Sequence, residues 1–413
     1  MLVEFSVENF LSFKDMATLS LEASADKESP QNVIESAQGT DLRLLTGAAI
    51  YGPNASGKSN FFKAIKFMRS GVITSAQEGI KEYPTIRFFP FKLDQTYREK
   101  PSTFEIVFLM EGVRYLYGFS VDSQRVHEEW LYSYPHNRKR LLFERRAGRA
   151  DSSDPAKAYK FGGHWTGESK RLAGMTRPDS LFISIAAQFN HPQATMVVDW
   201  FSKKLHYASP SPTGGPEDIF TIKMCRDEAD LKQAVLRLLK NADLHIADFD
   251  IHSQSLKKVL DSEDVPLEHR EEIIKNLEAD PEKPVLRVTT IHQGIDKDGK
   301  QVLIPLSLGE ESDGTQKYFA LAGPLIHVLS KGCCLLADEL DLHLHPILAR
   351  AIVALFHNPK VNTKGAQLVF ATHNTDLIEQ KGLLRRDQIW LTEKKESGAT
   401  DLYSAWDFKA RKG

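Results

Sequence analysis

Alternating apolar and polar positions predict strands in several parts of the chain. Residues 2–10 alternate with period two, which is typical of a strand packed on one face. Between 103 and 143, short runs rich in valine, phenylalanine and tyrosine are separated by turn residues, and this pattern indicates an antiparallel sheet. The runs 333–337 and 367–372 are continuously apolar, as strands buried on both faces of a parallel sheet usually are. Further short apolar runs predict strands at 42–51, 285–291, 302–306 and 389–391.

Helical spacing of apolar residues occupies the segments between these runs. It predicts helices at 61–68, 315–329 and 347–356. The long stretch 180–278 is mostly helical in pattern, most clearly at 231–239 and 267–277. It lacks the sustained heptads of a long coiled coil, so we expect a modest lobe of short helices there.

The remaining long segment, 146–179, is polar and basic and contains several glycines and serines, a pattern that predicts a surface excursion or a partly ordered loop. Together these patterns divide the chain into an N-terminal lobe (1–175), a helical insertion (176–284) and a C-terminal lobe (285–413).

Composition and charge narrow the classes of protein. Of the 413 residues, 53 are lysine or arginine and 55 are aspartate or glutamate. The net charge of −2 therefore gives no global attraction to nucleic acid or to anionic membranes. Only three cysteines are present (Cys225, Cys333, Cys334), too few for a disulfide framework. The N-terminus has no basic region followed by an apolar stretch, and polar residues interrupt the longest apolar tract. We expect a cytoplasmic protein without a membrane partner.

The most specific motif is a glycine-rich segment between a predicted strand and a predicted helix. Residues 52–59 match the P-loop pattern GxxxxGK[ST]. Glycines let main-chain N–H groups approach phosphate oxygens, and the helix N-terminus favours the anion. We expect Lys58 to contact the β- and γ-phosphates of ATP and the Ser59 hydroxyl to ligate Mg²⁺. A glycine-rich turn without nucleotide is the other explanation. The predicted nucleotide-binding residues are Gly52, Pro53, Asn54, Ala55, Ser56, Gly57, Lys58, Ser59 and Asn60.

Two acidic residues end the apolar run 333–337, as in a Walker B element. We predict that Asp338 holds Mg²⁺ through water and that Glu339 is the general base that polarises the attacking water. An apolar run followed by acids is a weak signal alone, because many strands end in polar residues. It becomes strong in a chain that also contains a P-loop.

The segment 308–315 contains a Ser-x-Gly sequence just before a predicted helix. It resembles the signature motif of ABC-type ATPases, a superfamily that includes SMC proteins. The resemblance implies that Ser312 and Gly314 of one protomer cap the nucleotide in the P-loop of another, so that ATP joins two copies. A second register, 306–310 with Ser307, resembles the SMC version of the motif more literally. We favour Ser312 because it adjoins the helix whose positive end would face the γ-phosphate.

Two further segments complete the series. Residues 340–346 resemble the D-loop of SMC proteins and of the overcoming-lysogenisation-defect (OLD) proteins. A metal pair formed by His343 and His345 is disfavoured, since no cluster of cysteine or histidine lies nearby in the sequence. Residues 369–374 form an apolar run that ends in Thr-His, which resembles the switch-histidine element. This resemblance implies that His373 contacts the γ-phosphate or the catalytic water.

In order and detail, these motifs resemble the RloA/AbiL-type SMC/OLD-like ABC ATPases of bacterial anti-phage loci, which are restriction-associated or cause abortive infection. The ATPase subunit of PARIS-type defence is a close relative. The segments that carry the resemblance are 5–14, 52–60, 311–315 and 386–390. It implies an α/β fold: an ABC/SMC-type P-loop ATPase head with a mixed core sheet, an antiparallel β subdomain and an inserted helical lobe.

The same resemblance implies how the protein acts. It implies ATP hydrolysis with Mg²⁺, assembly into a homodimer or higher oligomer, and control of a small effector nuclease with a TOPRIM-like fold. A phage trigger protein or nucleic acid is a further possible partner. The glutamine of the Q-loop is not fixed by the motifs, and Gln95 is a candidate.

The sequence leaves alternatives open for single segments and for the whole protein. A nuclease built into the chain would need an acidic pair, and the pairs at 248–250 and 296–298 instead suggest a polar edge between helix and strand and a hairpin turn. The basic cluster at 138–149 is either a solvated loop or a surface for nucleic acid or a partner. For the whole protein, one alternative is a DNA-binding SMC-like repair or chromosome-maintenance ATPase. Another is the nucleotide-binding subunit of an ABC transporter, which the antiparallel segment disfavours.

Overall fold

The computed structural model describes residues 1–77, 88–149, 155–208, 216–242, 244–255 and 284–408. The predicted helix at 267–277 lies outside these residues. The chain divides into two compact units. The larger unit comprises Met1–Ala208, Val328–Leu342 and Ala349–Gly413, and the smaller comprises Ser209–His327 and His343–Leu348.

An antiparallel sheet of seven strands forms one layer of the larger unit. This confirms the strand predicted at the start of the chain and the sheet predicted between 103 and 143. The strand order is β10-β9-β8-β7-β6-β1-β2. The strands are β1 (Leu2–Glu8), β2 (Ala17–Ser20), β6 (Ser102–Met110), β7 (Val113–Val121), β8 (Val126–Tyr134), β9 (Arg140–Arg146) and β10 (Tyr159–Phe161). Two short strands, β3 (Val33–Ile34) and β4 (Leu44–Leu45), pair separately.

A mixed sheet of six strands forms the second layer, in the order β11-β15-β16-β5-β17-β18. All neighbouring pairs are parallel except the β17–β18 hairpin. Every residue of β5, β15 and β16 is buried, which explains why these strands have continuously apolar sequences. The strands are β5 (Gly47–Tyr51), β11 (Leu205–Ala208), β15 (Cys334–Ala337), β16 (Gln367–Ala371), β17 (Ile389–Lys394) and β18 (Thr400–Ser404).

Helix α1 (Lys58–Thr74) packs into one hydrophobic core with strands of both sheets. Phe61 is fully buried and its ring centroid lies 5.4 Å from that of Phe5 in β1. Phe67 stacks on Phe104 of β6 with centroids 4.9 Å apart. The same core includes residues of β5, β15 and β16. This packing fixes α1, and with it the loop that precedes the helix, against the six-stranded sheet.

The segment 146–179 is more ordered than its polar sequence predicts. It contributes β10 and helix α3 (Ser169–Met175), and Trp165 is buried. The Trp165 ring packs against Phe143 and stacks on His191, with centroids 5.1 Å and 4.0 Å apart. The prediction of a surface excursion or partly ordered loop was therefore wrong for β10 and α3, because a few widely spaced aromatic residues supply the buried surface.

The residues of the basic cluster at 138–149 differ in their burial. Arg145 is buried, where it donates hydrogen bonds to the main-chain oxygens of Ser180, Arg177 and Pro178. It lies 4.0 Å from Glu129, a fully buried carboxylate that accepts hydrogen bonds from the first two N–H groups of helix α4 (Phe182–Gln188). Burial raises the pKa of Glu129, and Arg145 and the hydrogen bonds oppose this shift.

Helix α5 (Pro192–Lys204) packs on the seven-stranded sheet of the larger unit. Trp200 of α5 stacks on Phe108 of β6 with ring centroids 4.3 Å apart. Helices α4 and α5 belong to the larger unit. The predicted domain boundaries at 176 and 285 stay predictions. The larger unit also contains helices α2 (Gln95–Arg98) and α10 (Asp376–Glu379).

The smaller unit combines helices with a three-stranded antiparallel sheet in the order β12-β13-β14. Helix α7 confirms the helix predicted at 231–239, and the turn at 296–299 joins β13 to β14 as predicted. Asp248 and Asp250 lie inside β12, so the prediction of a polar edge between helix and strand was wrong. The elements are α6 (Pro216–Asp227), α7 (Ala229–Asn241), β12 (Ile246–Ser255), β13 (Pro284–Ile295) and β14 (Gln301–Ser307).

Helices α8 (Asp313–Lys331) and α9 (Pro346–His357) are divided between the two units. They confirm the helices predicted at 315–329 and 347–356. Across the described ranges of the chain, no helix combines the length and the apolar character needed to cross a membrane. The predicted fold class, an α/β P-loop ATPase head with a mixed core sheet and an antiparallel β subdomain, is confirmed.

Candidate nucleotide-binding site

The P-loop connects the buried strand β5, which ends at Tyr51, to helix α1, which begins at Lys58. Gly57 has a φ of +117°, a conformation that residues with a Cβ rarely adopt. A Cβ at Gly57 would lie 2.2 Å from Thr400 Oγ1, and a Cβ at Gly52 would lie 2.2 Å from Thr392 Oγ1. The packing of the loop therefore requires both glycines, and the positive φ at position 57 gives a second reason for Gly57.

The Lys58 side chain folds back along the P-loop, which precedes it in the chain. Its Nζ donates to the main-chain oxygens of Gly52 at 2.7 Å and Pro53 at 3.1 Å. Burial lowers the pKa of Lys58, and the carboxylates of Asp338, Glu339 and Asp341 oppose this shift. The ammonium group is thus held inside the loop, where it fits a phosphate group.

Ser59 and Asp338 come together although 279 positions separate them in the chain. Ser59 Oγ donates to Asp338 Oδ1 at 3.2 Å. Burial raises the pKa of Asp338 and the neighbouring Glu339 adds to this, while the Ser59 hydrogen bond and Lys63 and Lys58 lower it. A hydroxyl and a carboxylate are oxygen ligands of the kind that Mg²⁺ prefers, so this pair fits a magnesium ion.

Glu339 follows Asp338 in a strained main-chain conformation. Its φ is +53°, in the left-handed region that non-glycine residues adopt at a cost of about 1–3 kcal/mol. The next residue, Leu340, donates its N–H to Ala371 of β16 at 3.0 Å. This contact turns the chain sharply at the end of β15 and leaves the Glu339 side chain only partly buried.

His373 follows the neighbouring parallel strand β16 and is exposed. Its main-chain N–H donates to Asp341 Oδ2 at 3.3 Å, which links the switch segment to the D-loop. Among the described residues, Asp341 Oδ1 and the Tyr51 hydroxyl are buried without a hydrogen-bond partner. Burial raises the pKa of Tyr51, and the charge of Asp341 adds to the shift. The site therefore holds polar atoms that a ligand or water can satisfy.

The signature loop (308–315) lies in the smaller unit. Ser312 Oγ accepts a hydrogen bond from the N–H of Thr315 at 3.2 Å, at the beginning of the 19-residue helix α8. Ser307 caps only the short 3₁₀ turn Leu308–Glu310, through a reciprocal capping box with Glu310. This geometry is consistent with the Ser312 register, and contact of Ser312 with nucleotide stays a prediction.

Gly314 packs against the end of the D-loop. A Cβ there would lie 2.9 Å from the main-chain oxygen of His343. The His343 ring lies 3.7 Å from Asp313, while His345 Nδ1 accepts from the N–H of Ile347 at 3.3 Å. The two histidines thus have separate partners.

Sequence reasoning missed an ionisable group beside the signature loop. Glu311 Oε1 lies 2.6 Å from His292 Nε2 and accepts a hydrogen bond from the Thr290 hydroxyl at 2.5 Å. The main-chain oxygen of Glu311 also accepts from the Gln316 side chain at 2.7 Å. The bonds with Thr290 and His292 fix the residue before Ser312 to β13. No local sequence signal identifies these two bonds, since the partners are 21 and 19 positions away in the chain.

Sequence reasoning also missed a hydroxyl cluster behind the P-loop, formed by Ser12, Thr392 and Thr400. The hydroxyls of Ser56 and Thr392 are 2.6 Å apart. Thr400 Oγ1 donates to the main-chain oxygen of Ser56 at 2.7 Å and lies 2.7 Å from the Ser12 hydroxyl. Asn60 Nδ2 donates to the same Ser12 hydroxyl at 2.8 Å. The β17–β18 hairpin and the N-terminal segment therefore position the loop.

Replacing Thr400 with valine is expected to weaken ATP binding about ten-fold, because the loss of one hydrogen bond to a buried group costs about 1–3 kcal/mol. Thr400→Ser retains the hydroxyl and should bind within a factor of about two of the parent. Titration with a fluorescent ATP analogue, alongside thermal unfolding of each variant, measures both effects. Equal affinity of the valine variant and the parent would show that the cluster does not position the loop.

Gln95 lies exposed at the first position of α2, and its assignment to the Q-loop stays a prediction.

Comparisons with known proteins bear on the family. The family model described as "AAA domain, putative AbiEii toxin, Type IV TA system" matches residues 48–379. No curated protein matches the chain.

Three solved structures align with nearly the whole chain. An Smc head bound to the C-winged helix domain of ScpA is 14% identical and covers 98% of this chain and 97% of its own, with a TM-score of 0.41. An Smc head domain with a coiled coil and joint from Pyrococcus yayanosii is 12% identical, with coverage of 98% and 96% and a TM-score of 0.36. A dimeric ATP-binding cassette bound to ADP and Pi is 11% identical, with coverage of 98% and 100% and a TM-score of 0.30.

All three TM-scores are below 0.5, so the fold assignment rests on the strand order and on the P-loop geometry. The family match is the stronger evidence for the family, because it spans most of the chain and includes the P-loop, Asp338, Glu339 and His373. The chain belongs to this family of AAA-type P-loop ATPases.

Proposed function

We propose that the protein is an ATP-hydrolysing switch whose nucleotide state controls a partner. The observation that carries this proposal is the pairing of Ser59 with Asp338 beside the buried Lys58. A helix N-terminus, a lysine and a hydroxyl–carboxylate pair together fit the phosphates of ATP and Mg²⁺.

The residues have distinct roles in this proposal. The loop 52–60 binds the phosphates, with Lys58 neutralising charge that develops during hydrolysis. Ser59 and Asp338 hold Mg²⁺, which supplies electrostatic stabilisation of the phosphates when bound. Glu339 accepts a proton from the attacking water, and its strained main chain supports such a role because strain concentrates at functional positions. His373 contacts the γ-phosphate or that water.

The proposal includes a second copy of the chain. Ser312 and Gly314 of one copy would face the P-loop of the other, so that two ATP molecules hold the pair together. The support is the position of Ser312 at the N-terminus of a long helix, whose dipole favours an anion. The resemblance of the 308–315 loop to the ABC signature gives the same expectation.

The partner is proposed to be a small effector nuclease with a TOPRIM-like fold, and the biological role anti-phage defence. Support comes from the motif resemblance and from the family's description, which names a type IV toxin–antitoxin system. The alternative is a DNA-binding SMC-like repair or chromosome-maintenance ATPase. Such proteins use long coiled coils, whereas the longest helix in the described ranges has 19 residues.

ATP-dependent association tests the proposal directly. With ATP and Mg²⁺, Glu339→Gln is expected to sediment at twice the monomer mass, and with ADP at the monomer mass. Ser312→Arg added to this variant should abolish the dimer, because a bulky cation would occupy the γ-phosphate position. Ser307→Arg is the matched control and should leave the dimer intact. A dimer lost in the Ser307 variant and retained in the Ser312 variant would assign the signature to the other register.

A further inference from the structure

The β8–β9 hairpin carries an exposed basic tip. Residues 136–140 are all exposed, and they include three consecutive cations, Arg138, Lys139 and Arg140. Across the described ranges, no carboxylate lies within 4.0 Å of any of these three charges. His136 and Asn137 have φ values of +50° and +58°, which turn the chain tightly and present the cations together. An exposed cationic cluster of this kind attracts polyanions.

Aromatic rings lie directly beside these cations. Tyr132 and Tyr134 alternate along β8 with the buried residues Leu131 and Ser133, so they lie on the outward face of the sheet. Lys139 Nζ is 4.1 Å from the centroid of the Tyr132 ring. The Arg114 guanidinium is 4.5 Å from the centroid of the Tyr134 ring. Cations and ring faces thus form one continuous surface at this end of the sheet.

The acidic groups near this surface lie mainly beside Arg114 and Lys139. Glu22 lies 4.0 Å from Arg114, and Glu111 occupies the neighbouring β6–β7 turn. Further along the face, Glu105 accepts a hydrogen bond from Trp130 at 2.8 Å. Arg146, which the sequence places in the same basic cluster, is paired with Glu144 and adds little. Glu105 and Glu4 are also close enough to Lys139 and Arg114 for these cations to lower their pKa values against the effect of burial. The excess of positive charge is therefore confined to the exposed tip, where Arg138, Lys139 and Arg140 are consecutive.

We infer that this hairpin surface, formed by Arg114, Tyr132, Tyr134, Arg138, Lys139 and Arg140, binds single-stranded nucleic acid. The cations would contact phosphates, and the tyrosine rings would stack on bases. Stacking requires bases that are not already paired in a duplex, and aromatic residues on a sheet face are a frequent platform for it. An acidic protein segment would use the cations but would gain nothing specific from the rings, so the rings favour nucleic acid.

Fluorescence anisotropy of the full chain with labelled 20-nucleotide oligo(dT) and oligo(U) tests the inference. Binding should weaken steeply between 50 and 200 mM salt, as counterion release requires. The triple variant Arg138→Gln, Lys139→Gln, Arg140→Gln should lose about 10–100-fold in affinity, and its slope against log salt should fall by about 2. The control triple Lys360→Gln, Lys364→Gln, Lys381→Gln makes the same charge change at other exposed lysines and should bind like the parent.

The rings are tested separately from the charges. The double variant Tyr132→Ala, Tyr134→Ala should bind about ten-fold more weakly or worse at both salt concentrations, with the salt slope unchanged. Unchanged ATP turnover and melting temperature show that the variants fold. Equal binding by both triple variants, tighter binding of a 20-base-pair duplex than of the single strand, or equally strong competition by poly-glutamate would each overturn the inference.

Discussion

Replacing Glu339 with glutamine is expected to slow ATP hydrolysis about 10²–10³-fold, since a positioned general base contributes roughly that much. Glutamine has almost the same size and can still orient water, but it cannot accept a proton. ATP affinity should change by no more than a factor of about three, because the lost interaction acts in the transition state. Phosphate release at saturating ATP and Mg²⁺ measures the first quantity, and equilibrium titration measures the second.

Glu396→Gln is the matched control, because Glu396 is an exposed carboxylate of the same unit and should leave turnover unchanged. The strained main chain at residue 339 adds a second expectation. Glu339→Gly should be inactive but no less stable than the parent, since glycine relieves the positive φ. Parental turnover by the glutamine variant would mean that another group activates the water.

Lys58→Ala is expected to weaken ATP binding by at least about 10²-fold, because it removes the charge that faces the phosphates in a partly buried loop. Folding should not suffer. Burial lowers the pKa of Lys58, which means that the folded state disfavours its charge, so removing the charge does not remove stability. Calorimetric titration with ATP and a thermal unfolding curve separate the two effects.

Lys66→Ala provides the control for Lys58, since Lys66 is an exposed lysine on the same helix. It should bind ATP like the parent. If Lys58→Ala also bound ATP with parental affinity, the loop 52–59 would not be the phosphate site. If it unfolded at a much lower temperature, the contacts of Nζ with Gly52 and Pro53 would be structural.

The parts of the site that the sequence predicts are those that lie within one local segment. The P-loop follows from a strand, a glycine-rich turn and a helix in immediate succession, and the structure has these three elements in that order. The buried strand before Asp338 follows from five apolar residues in a row, because both of its faces are covered. In both segments the local pattern and the tertiary environment agree.

The parts that the sequence does not predict depend on distant contacts. Thr400 reaches Ser56 across 344 positions of the chain, and nothing in the sequence around either residue indicates the pair. Asp248 and Asp250 are polar residues within a strand, because Lys232 lies 3.6 Å and 3.1 Å from their carboxylates. The buried Glu129 carboxylate is likewise stabilised by distant residues, because the first two N–H groups of helix α4 donate hydrogen bonds to it. Pattern analysis of single segments cannot identify partners of this kind.

The central claim is that two copies of the chain complete one another's ATP sites. Lys58→Ala lacks a working P-loop and Ser312→Arg lacks a working signature, so each variant alone should be inactive. Mixed in equal amounts, the two variants can form a hybrid dimer with one intact site out of two, so turnover should appear only in the mixture and should not exceed about half of the parental turnover. Phosphate release from the mixture measures this directly. Turnover of the mixture well above that of either variant alone supports the shared site, and turnover equal to the mean of the two separate variants would contradict it.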